Sequence, residues 1–192
     1  MSEPVRNSKL ISPEYQKQQQ ELHDTVQYGG TAIIYAPIIS GIINKMGVQH
    51  VLDYGCGEGV FLYKYLKADH KLKYQAYDPG VSRFSKRPVP AEMVCCIDVL
   101  EHIEPEYLDN VLDDLCSLTE AIAFLSITMA PALKTLPDGR NAHLIVEPMK
   151  WWLPKILDRW DVQTVQAVSD ISFFVICQTK VRLEAQNGKS LV

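Results

Sequence analysis

Three closely spaced glycines after an apolar run limit the possible folds of this chain more than any other feature of the sequence. Residues 51–59 read VLDYGCGEG, with Gly55, Gly57 and Gly59 at alternate positions. Glycine tolerates positive φ angles and lets a ligand approach the backbone, and a helix that starts at such a turn offers unpaired N–H groups. The segment therefore predicts a buried strand that passes directly into a helix, with a ligand site at the turn.

The spacing of these glycines and the nearby acids indicate which kind of ligand fits. The pattern is G-x-G-x-G and lacks the G-x-G-x-x-G spacing of dinucleotide-binding turns, which disfavours a nicotinamide-dependent oxidoreductase. Asp53 and Glu58 would repel a pyrophosphate and suit a cationic or zwitterionic ligand better. At the end of the next predicted strand, Asp78 can accept hydrogen bonds from both hydroxyls of a ribose. The sequence thus predicts a nucleoside ligand without phosphates.

Short apolar runs alternate with helical stretches from residue 48 onward. Strands are predicted at 48–54 and 73–78 with a helix at 59–68 between them, which is typical of βαβ units and a parallel sheet. Further strands are predicted at 93–97, 121–128, 162–168 and 171–179, and the last two are close enough to pair as a hairpin. A helix that opens at 104–106 carries an apolar stripe predicted to face the sheet: Leu108, Val111, Leu112, Leu115 and Leu118. Another helix is predicted around 149–160.

The N-terminal region precedes this alternation and predicts a helical cap. A helix-start signal at 12–14, S-P-E, leads into the polar segment 15–28, which predicts a helix on the surface. The apolar segment 31–46, closed by Gly47, predicts a second and buried helix. We therefore divide the chain into a helical cap at 1–47, a ligand-binding domain at 48–180 and a polar tail at 181–192, one structural domain overall.

Composition and charge exclude several classes of function. The 192 residues carry 19 Lys and Arg against 23 Asp and Glu, a net charge of −4, which disfavours duplex nucleic acid as a partner. Apolar stretches such as 121–127 are far shorter than the roughly 20 residues that span a bilayer, and residues 1–20 are too polar for a signal peptide. Five cysteines without a CxxC pair indicate reduced thiols. We expect a soluble, cytoplasmic protein without a metal centre; its oligomeric state does not follow from the sequence.

Three segments together resemble the class I S-adenosylmethionine-dependent methyltransferases. The segment 51–59 resembles the first motif of that family, Y-D-P at 77–79 resembles its ribose-binding acid, and D-V-L-E-H-I at 98–103 resembles the segment after its fourth strand. The resemblance extends over roughly residues 48–179. It implies an α/β, Rossmann-like sandwich with a mostly parallel sheet and a C-terminal antiparallel hairpin. It also implies an enzyme that uses S-adenosyl-L-methionine and releases S-adenosyl-L-homocysteine.

The same resemblance implies which residues bind the cofactor. The glycine turn would wrap the methionine part with Asp53 near its amino group, Asp78 would hold the ribose, and residues 28–29 would fold over the methionine end. The full set of implied cofactor-binding residues is Tyr28, Gly29, Asp53, Gly55, Gly57, Gly59, Asp78, Pro79, Ile97, Asp98 and Val99.

The sequence departs from the family pattern between the second and the next strand. Only about a dozen residues separate Asp78 from the strand predicted at 93–97. That length is too short for the usual helix, third strand and adenine-contacting acid. We therefore expect the third strand to be missing or shortened, and the sequence leaves the adenine contact unassigned.

Two histidines are candidates for catalysis. A methyl group on a sulfonium is already electrophilic, so the protein mainly aligns the acceptor and excludes water, and a histidine can act as the base if the acceptor is a hydroxyl. His143 follows the long loop 129–141, past the end of a predicted strand where ligands of α/β sheets bind. Alternatively, its ring holds the shape of that loop. His102 is the second candidate, although Asp98 and Glu101 have the spacing of a capping box, which would make this segment a simple helix start.

These observations predict a methyltransferase that acts on a small polar acceptor through an oxygen or nitrogen nucleophile. The loop at 129–141 and the N-terminal helices would form its lid, and Lys134 and Arg140 could clamp an anionic acceptor. Two alternatives stay open. The chain could be a catalytically weak, cofactor-binding partner of another protein, or it could methylate a protein or an RNA through a basic patch at 83–87.

Overall fold

A six-stranded sheet forms the centre of the molecule in the computed structural model, which describes residues 9–25, 30–57 and 61–180. The strands are His50–Tyr54 (β1), Lys73–Tyr77 (β2), Ala91–Ile97 (β3), Thr119–Thr128 (β4), Trp160–Ser169 (β5) and Ser172–Thr179 (β6). They lie in the order β2-β1-β3-β4-β6-β5. The first four are parallel, whereas β6 pairs antiparallel with both β4 and β5. The predicted α/β class, the mostly parallel sheet and the C-terminal hairpin are confirmed.

Helices cover both faces of this sheet. Within the described residues they are Pro13–Thr25 (α1), Ala32–Met46 (α2), Phe61–Tyr65 (α3), Leu108–Leu118 (α4) and Met149–Leu157 (α5). The predicted start of α1 is confirmed, because the Ser12 hydroxyl accepts the backbone N–H of Tyr15 at 3.0 Å. The predicted end of α2 is confirmed too, since Gly47 adopts a φ of 68°. None of the described helices combines the length and the hydrophobicity that a membrane span requires.

Two hydrophobic clusters, one on each face of the sheet, hold the strand ends in place. Consecutive strand residues point to opposite faces, so Cys96 packs with α4 and α5, and Cys95 packs with α2. Both thiols are fully buried and act as small core residues. The stripe predicted for α4 is confirmed, because all of its members are buried in the first cluster: Leu108, Val111, Leu112, Leu115 and Leu118.

The chain segment 78–90, which connects β2 to β3, forms no strand. In the described residues, the connection between these strands contains only a single 3₁₀ turn at Ser82–Phe84. As a result β2 is the edge of the sheet, and the prediction that the third strand is missing is confirmed.

Both N-terminal helices differ from their predicted burial. The prediction that α1 lies on the surface is wrong for its inner side, because Tyr15 is buried against Leu136 and Ala142. A polar helix can be buried on one side when its buried donors find acceptors, as the Gln18 amide N–H does on the Asp138 carboxylate at 3.0 Å. For α2 the prediction of a buried helix holds for one side only, since Ile34 is 57% exposed. The polar tail at 181–192 lies outside the described residues, and the division into cap and domain stays a prediction.

Candidate functional site

A cavity of about 530 Å³ opens where β1, β2, β3 and β4 end. Parallel strands bring their carboxyl ends to the same edge of the sheet, so the segments that follow them meet there. The wall of the cavity therefore combines residues that are far apart in the sequence, including Gly55, Asp78, Val99 and His143. Its size is in the range of small-molecule sites.

The glycine turn after β1 forms the floor of this cavity. The N–H groups of Gly55 and Cys56 donate to the carbonyl of Tyr77 at 2.7 and 3.1 Å, which ties the turn to the end of β2. Gly55 has a φ of 77°, and a Cβ atom on it would lie 2.3 Å from Cγ2 of Val99. No side chain fits there, so the sequence requires glycine at this position. Gly57 also has positive φ, at 58°, whereas Gly59 lies outside the described residues.

The Asp78 carboxylate stands beside this turn at the end of β2. One oxygen accepts the N–H of Gly57 at 2.9 Å and the other accepts the N–H of Gly80 at 2.8 Å. A carboxylate has about four acceptor sites, so these backbone bonds orient it and remain compatible with ligand hydroxyls. Asp78 and its neighbour Pro79 both line the cavity, in the place where the sequence expects a ribose.

A second carboxyl group, that of Asp53, lies at the base of the cavity. It is buried and accepts a hydrogen bond from the Tyr74 hydroxyl at 2.5 Å. Burial raises the pKa of Asp53 to about 7; the Tyr74 bond opposes this shift, and the nearby Asp78 charge adds to it. A positively charged ligand group beside Asp53 would favour its ionised form.

The segment after β3 forms one side of the cavity. Ile97, Asp98 and Val99 all line it. Asp98 adopts a left-handed backbone conformation with a φ of 52°, and Oγ of Ser126 fixes it by accepting its N–H at 3.0 Å and donating to its carboxylate at 2.8 Å. Aspartate is among the few residues that tolerate this conformation.

The alternative prediction of a capping box at Asp98 and Glu101 is wrong. The 3₁₀ turn at Leu100–His102 has no side-chain cap, and the Glu101 carboxylate accepts the N–H of Thr128 at 2.8 Å instead. Glu101 is fully buried, which raises its pKa to about 8, with a further increase from the charge of Asp98. Its Oε2 has no hydrogen-bond partner in the described part of the chain. The sequence could not indicate this environment, because the D-x-x-E spacing is equally typical of a cap.

Both candidate histidines lie together at the other end of the cavity. The rings of His102 and His143 meet edge to face, with centroids 4.6 Å apart, and both line the wall. Nδ1 of His102 lies 2.8 Å from the carbonyl oxygen of Ala142, and Nδ1 of His143 lies 2.5 Å from that of Ala130. A carbonyl only accepts, so each Nδ1 carries the hydrogen, and Nε2 of the neutral ring is left as the basic nitrogen. Nδ1 of His143 can therefore hold the shape of the loop while Nε2 remains for catalysis, so the two interpretations of this residue concern different nitrogens.

Helix α1 crosses the cavity, where the sequence predicts a lid, but the α1 residues that face the cavity were not predicted. The Tyr15 hydroxyl donates to the carbonyl of His102 at 2.7 Å, and the Gln16 amide donates to that of Pro79 at 2.7 Å. Tyr15 and Gln19, one turn apart, line the cavity. The sequence places these two residues on one side of the helix, but it does not indicate which side of a polar helix faces inward. Tyr28 and Gly29, expected over the methionine end, lie outside the described residues.

The two cations expected to clamp an anionic acceptor take different positions. Lys134 lines the cavity. Arg140 instead donates from Nε to the Asp138 carboxylate at 2.8 Å, and this bond lowers the pKa of Asp138 to about 2. In the residues that the structure describes, no group of three or more His, Cys, Asp or Glu side chains is arranged to hold a metal ion.

Comparison with known proteins gives matches in structure only. No protein-family model and no curated protein matches the sequence. Among solved structures, 1,6-didemethyltoxoflavin-N1-methyltransferase of Burkholderia thailandensis aligns over 92% of this chain and 93% of its own, with a TM-score of 0.61 and 17% identity. That enzyme was crystallised with 1,6-didemethyltoxoflavin and S-adenosylhomocysteine.

Two further structures extend this likeness to other kinds of methyltransferase. An O-methyltransferase family protein of B. thailandensis aligns over 93% of this chain and 67% of its own, with a TM-score of 0.58 and 13% identity. Magnesium protoporphyrin IX methyltransferase of Synechocystis PCC 6803, with bound S-adenosylmethionine, aligns over 88% and 93%, with a TM-score of 0.55 and 14% identity. At such identities the likeness concerns the fold alone, and it shows that this chain has the class I methyltransferase fold.

Proposed function

We propose that this chain is an S-adenosylmethionine-dependent methyltransferase that acts on a small polar acceptor through an oxygen or nitrogen nucleophile. The observation that carries the proposal is the composition of a single cavity. Gly55 leaves the floor of this cavity free of a side chain, and backbone N–H groups orient the carboxylate of Asp78 in its wall. His143 contributes a basic imidazole nitrogen. The glycine floor suits the methionine part of the cofactor, the Asp78 carboxylate suits its ribose, and the imidazole nitrogen suits a protic acceptor.

The residues of the cofactor side fit this cofactor in shape and charge. A Cβ on Gly55 would collide with Val99, so the floor is held open only by glycine. Asp78 would accept the ribose hydroxyls, and Asp53 would lie near the amino group, where a cation stabilises its ionised form. The remaining residues expected to border the cofactor are Tyr28, Gly29, Gly57, Gly59, Pro79, Ile97, Asp98 and Val99. When bound, S-adenosylmethionine supplies a methyl group on a positively charged sulfur, which needs no further activation.

His143 performs the proton chemistry of the acceptor side in this proposal. Its Nδ1–H is held by the carbonyl of Ala130, so the ring keeps one tautomer and presents Nε2 as the base. Nε2 takes the proton from a hydroxyl or an ammonium nitrogen of the acceptor. His102, whose Nδ1 is held by Ala142, packs against that ring and restricts its orientation. An acceptor without an acidic proton would not need this pair.

The cap and the loop at 129–141 exclude water from the cavity in this proposal. Helix α1 is bonded to Pro79 on the cofactor side and, through Tyr15, to His102 on the acceptor side. Its neighbour Ser12 donates its N–H to the Glu104 carboxylate at 2.8 Å. Exclusion of water strengthens the electrostatic interactions inside a site and prevents hydrolysis.

Calorimetry with S-adenosylhomocysteine tests the cofactor assignment directly. We expect saturable binding of this compound to the purified protein and none of NADH, which serves as the control nucleotide. Formation of a radiolabelled product from methyl-labelled S-adenosylmethionine, measured with a panel of phenols, aliphatic alcohols and amines, then identifies the acceptor class. Failure to bind S-adenosylhomocysteine would refute the proposal, and binding without turnover on any acceptor would refute its catalytic part.

A further inference from the structure

Among the described residues the sheet ends at β2, so no strand beyond it supplies a side chain that could contact an adenine ring beside Asp78. Because β2 is the edge of the sheet and the connection from β2 to β3 contains only the turn at Ser82–Phe84, no further strand in the described part of the chain borders Asp78. An adenine next to a ribose at Asp78 would therefore have to be recognised from elsewhere. The structure places α1 over this region, since Gln16 is bonded to the carbonyl of Pro79.

One glutamine of α1 faces the cavity at this point. A Cβ atom placed on Gly80 would lie 3.0 Å from Cβ of Gln19 and 3.3 Å from an oxygen of Asp78. The Gln19 side chain thus leaves the helix near the carboxylate of Asp78, which we propose as the ribose ligand. Gln19 also lines the cavity. Its amide has no hydrogen-bond partner among the described residues. By contrast, Gln16 and Gln18 anchor the helix through Pro79 and Asp138.

The cavity that Gln19 lines also offers apolar surface for a flat heteroaromatic ring. Apolar side chains of Leu10, Pro79, Val99 and Ile103 line the cavity together with it. Adenine has apolar faces and an edge on which a hydrogen-bond donor and an acceptor are adjacent. A carboxamide presents the matching acceptor and donor, which is why glutamine and asparagine pair with adenine in two bonds.

We propose that Gln19 of α1 recognises the edge of the adenine ring and replaces the contact that a third strand would supply. This inference rests on the proposed function, because it assumes an adenosyl ligand whose ribose lies at Asp78. The cofactor side of the cavity is then completed by the N-terminal helix rather than by the sheet. Gln19 sets the specificity for the base, whereas Asp78 sets that for the sugar.

A double-mutant cycle between protein and ligand tests this contact. Calorimetry measures the affinity of the wild type and of Gln19→Ala for S-adenosylhomocysteine and for its analogue with purine in place of adenine, which lacks the 6-amino group. We expect the wild type to bind the analogue about 3- to 10-fold more weakly, as for one lost hydrogen bond. Gln19→Ala should bind S-adenosylhomocysteine more weakly by a similar factor and bind both ligands equally.

Two further variants separate hydrogen bonding from packing. Gln19→Met keeps the length of the side chain against Gly80 but removes the amide, and we expect it to behave like Gln19→Ala. Gln20→Ala removes the neighbouring glutamine, which does not line the cavity, and should match the wild type. Thermal melts compare the folding of all the variants.

The possible results distinguish this inference from the proposed function. If the wild type does not bind S-adenosylhomocysteine, the proposed function fails and the inference fails with it. If it binds, but Gln19→Met binds as tightly as the wild type, only the inference is overturned. Additive losses from the amide and from the amino group would also overturn it, because they would show that the two groups do not touch.

Discussion

The two sides of the cavity are built in different ways. On the side that we propose for the cofactor, hereafter the cofactor side, Gly55 and Asp78 follow strands directly and are held by backbone N–H and carbonyl groups at the edge of the sheet. On the acceptor side, the loop 129–148 contains no helix or strand and only one isolated bridge, between Thr135 and Asn141. Side chains hold this loop: the Asn141 amide, for example, exchanges two hydrogen bonds with the backbone of Ala132 at 2.9 Å each.

This difference shows which part of the site the fold determines. The geometry of the cofactor side follows from strand register and glycine backbone angles, so any chain with this sheet and turn places the residue that follows β2 beside the turn. The geometry of the acceptor side depends on a few side-chain bonds of one loop. The acceptor can therefore change by substitution in the loop while the cofactor side stays the same.

Replacement of His143 should have the largest effect and should be confined to the acceptor side. We expect His143→Ala to lower kcat by about 10²- to 10⁴-fold, because the general base is lost. Its affinity for S-adenosylhomocysteine should stay within about twofold of the wild type. Kinetics with the acceptor identified in the panel, together with calorimetry, measure the two quantities.

His143→Asn is the matched control, since its amide can still donate to the carbonyl of Ala130. It should be as inactive as the alanine variant. Wild-type turnover by His143→Asn would mean that the ring only holds the loop, and the catalytic assignment would then be wrong.

Gly55→Ala should damage the cofactor side strongly. The new Cβ would collide with Val99 at a φ of 77°, so we expect the free energy of unfolding to fall by about 2–4 kcal/mol and cofactor affinity to drop. Urea unfolding and calorimetry measure both effects. The control is Gly139→Ala, because Gly139 has a φ of 87° but open space around it. It should lose only about 1–2 kcal/mol and bind S-adenosylhomocysteine normally; equal losses in the two variants would contradict the tight packing at the floor.

Asp78→Asn should weaken binding of S-adenosylhomocysteine by about 1–3 kcal/mol, because ribose hydroxyls would lose a charged acceptor. Calorimetry provides the measurement. The loss should be far smaller for methionine alone, which has no ribose. If affinity for S-adenosylhomocysteine does not change, Asp78 is not the ribose ligand. The cofactor side and the acceptor side of the cavity are then assigned the wrong way round.

The last prediction concerns the pH dependence of stability rather than ligand binding, and it rests on Glu101, whose carboxylate accepts the N–H of Thr128. Burial raises its pKa to about 8, so between about pH 4.5 and 8 the folded state retains a proton that the unfolded state loses. The contribution of Glu101 to the free energy of unfolding is therefore complete below this range and is lost as the pH rises. The free energy of unfolding falls by up to about 1.4 kcal/mol per pH unit. Glu101→Gln should flatten the decline in the free energy of unfolding, measured in urea across this range. Parallel curves for the two proteins would show that Glu101 titrates normally. Asp53 contributes a decline in the same direction, so a partial slope should remain.

The sequence predicted the positions of Gly55 and Asp78 at the cavity better than the contacts of the two histidines, for a physical reason. Asp78 and Gly55 each follow a strand directly, and strand ends of parallel sheets meet irrespective of the side chains around them. The stripe of α4 was predictable because its period alone determines the buried face. In contrast, His102 and His143 meet only because carbonyls of the folded loop hold their rings. Tyr15 and Gln19 could not be assigned either, since a polar helix shows no preferred inner face until it docks.

The bonds of α1 have one more consequence. This helix is hydrogen-bonded to the carbonyl of Pro79 at one end of the cavity and to the carbonyl of His102 at the other. A displacement of the helix at one end would therefore also change its position at the other end. Linkage of this kind is reciprocal: occupancy of the first ligand changes the affinity for the second by the same factor in either direction. Under the proposed function, the two hydrogen bonds of the N-terminal helix would link the binding of the cofactor to that of the acceptor.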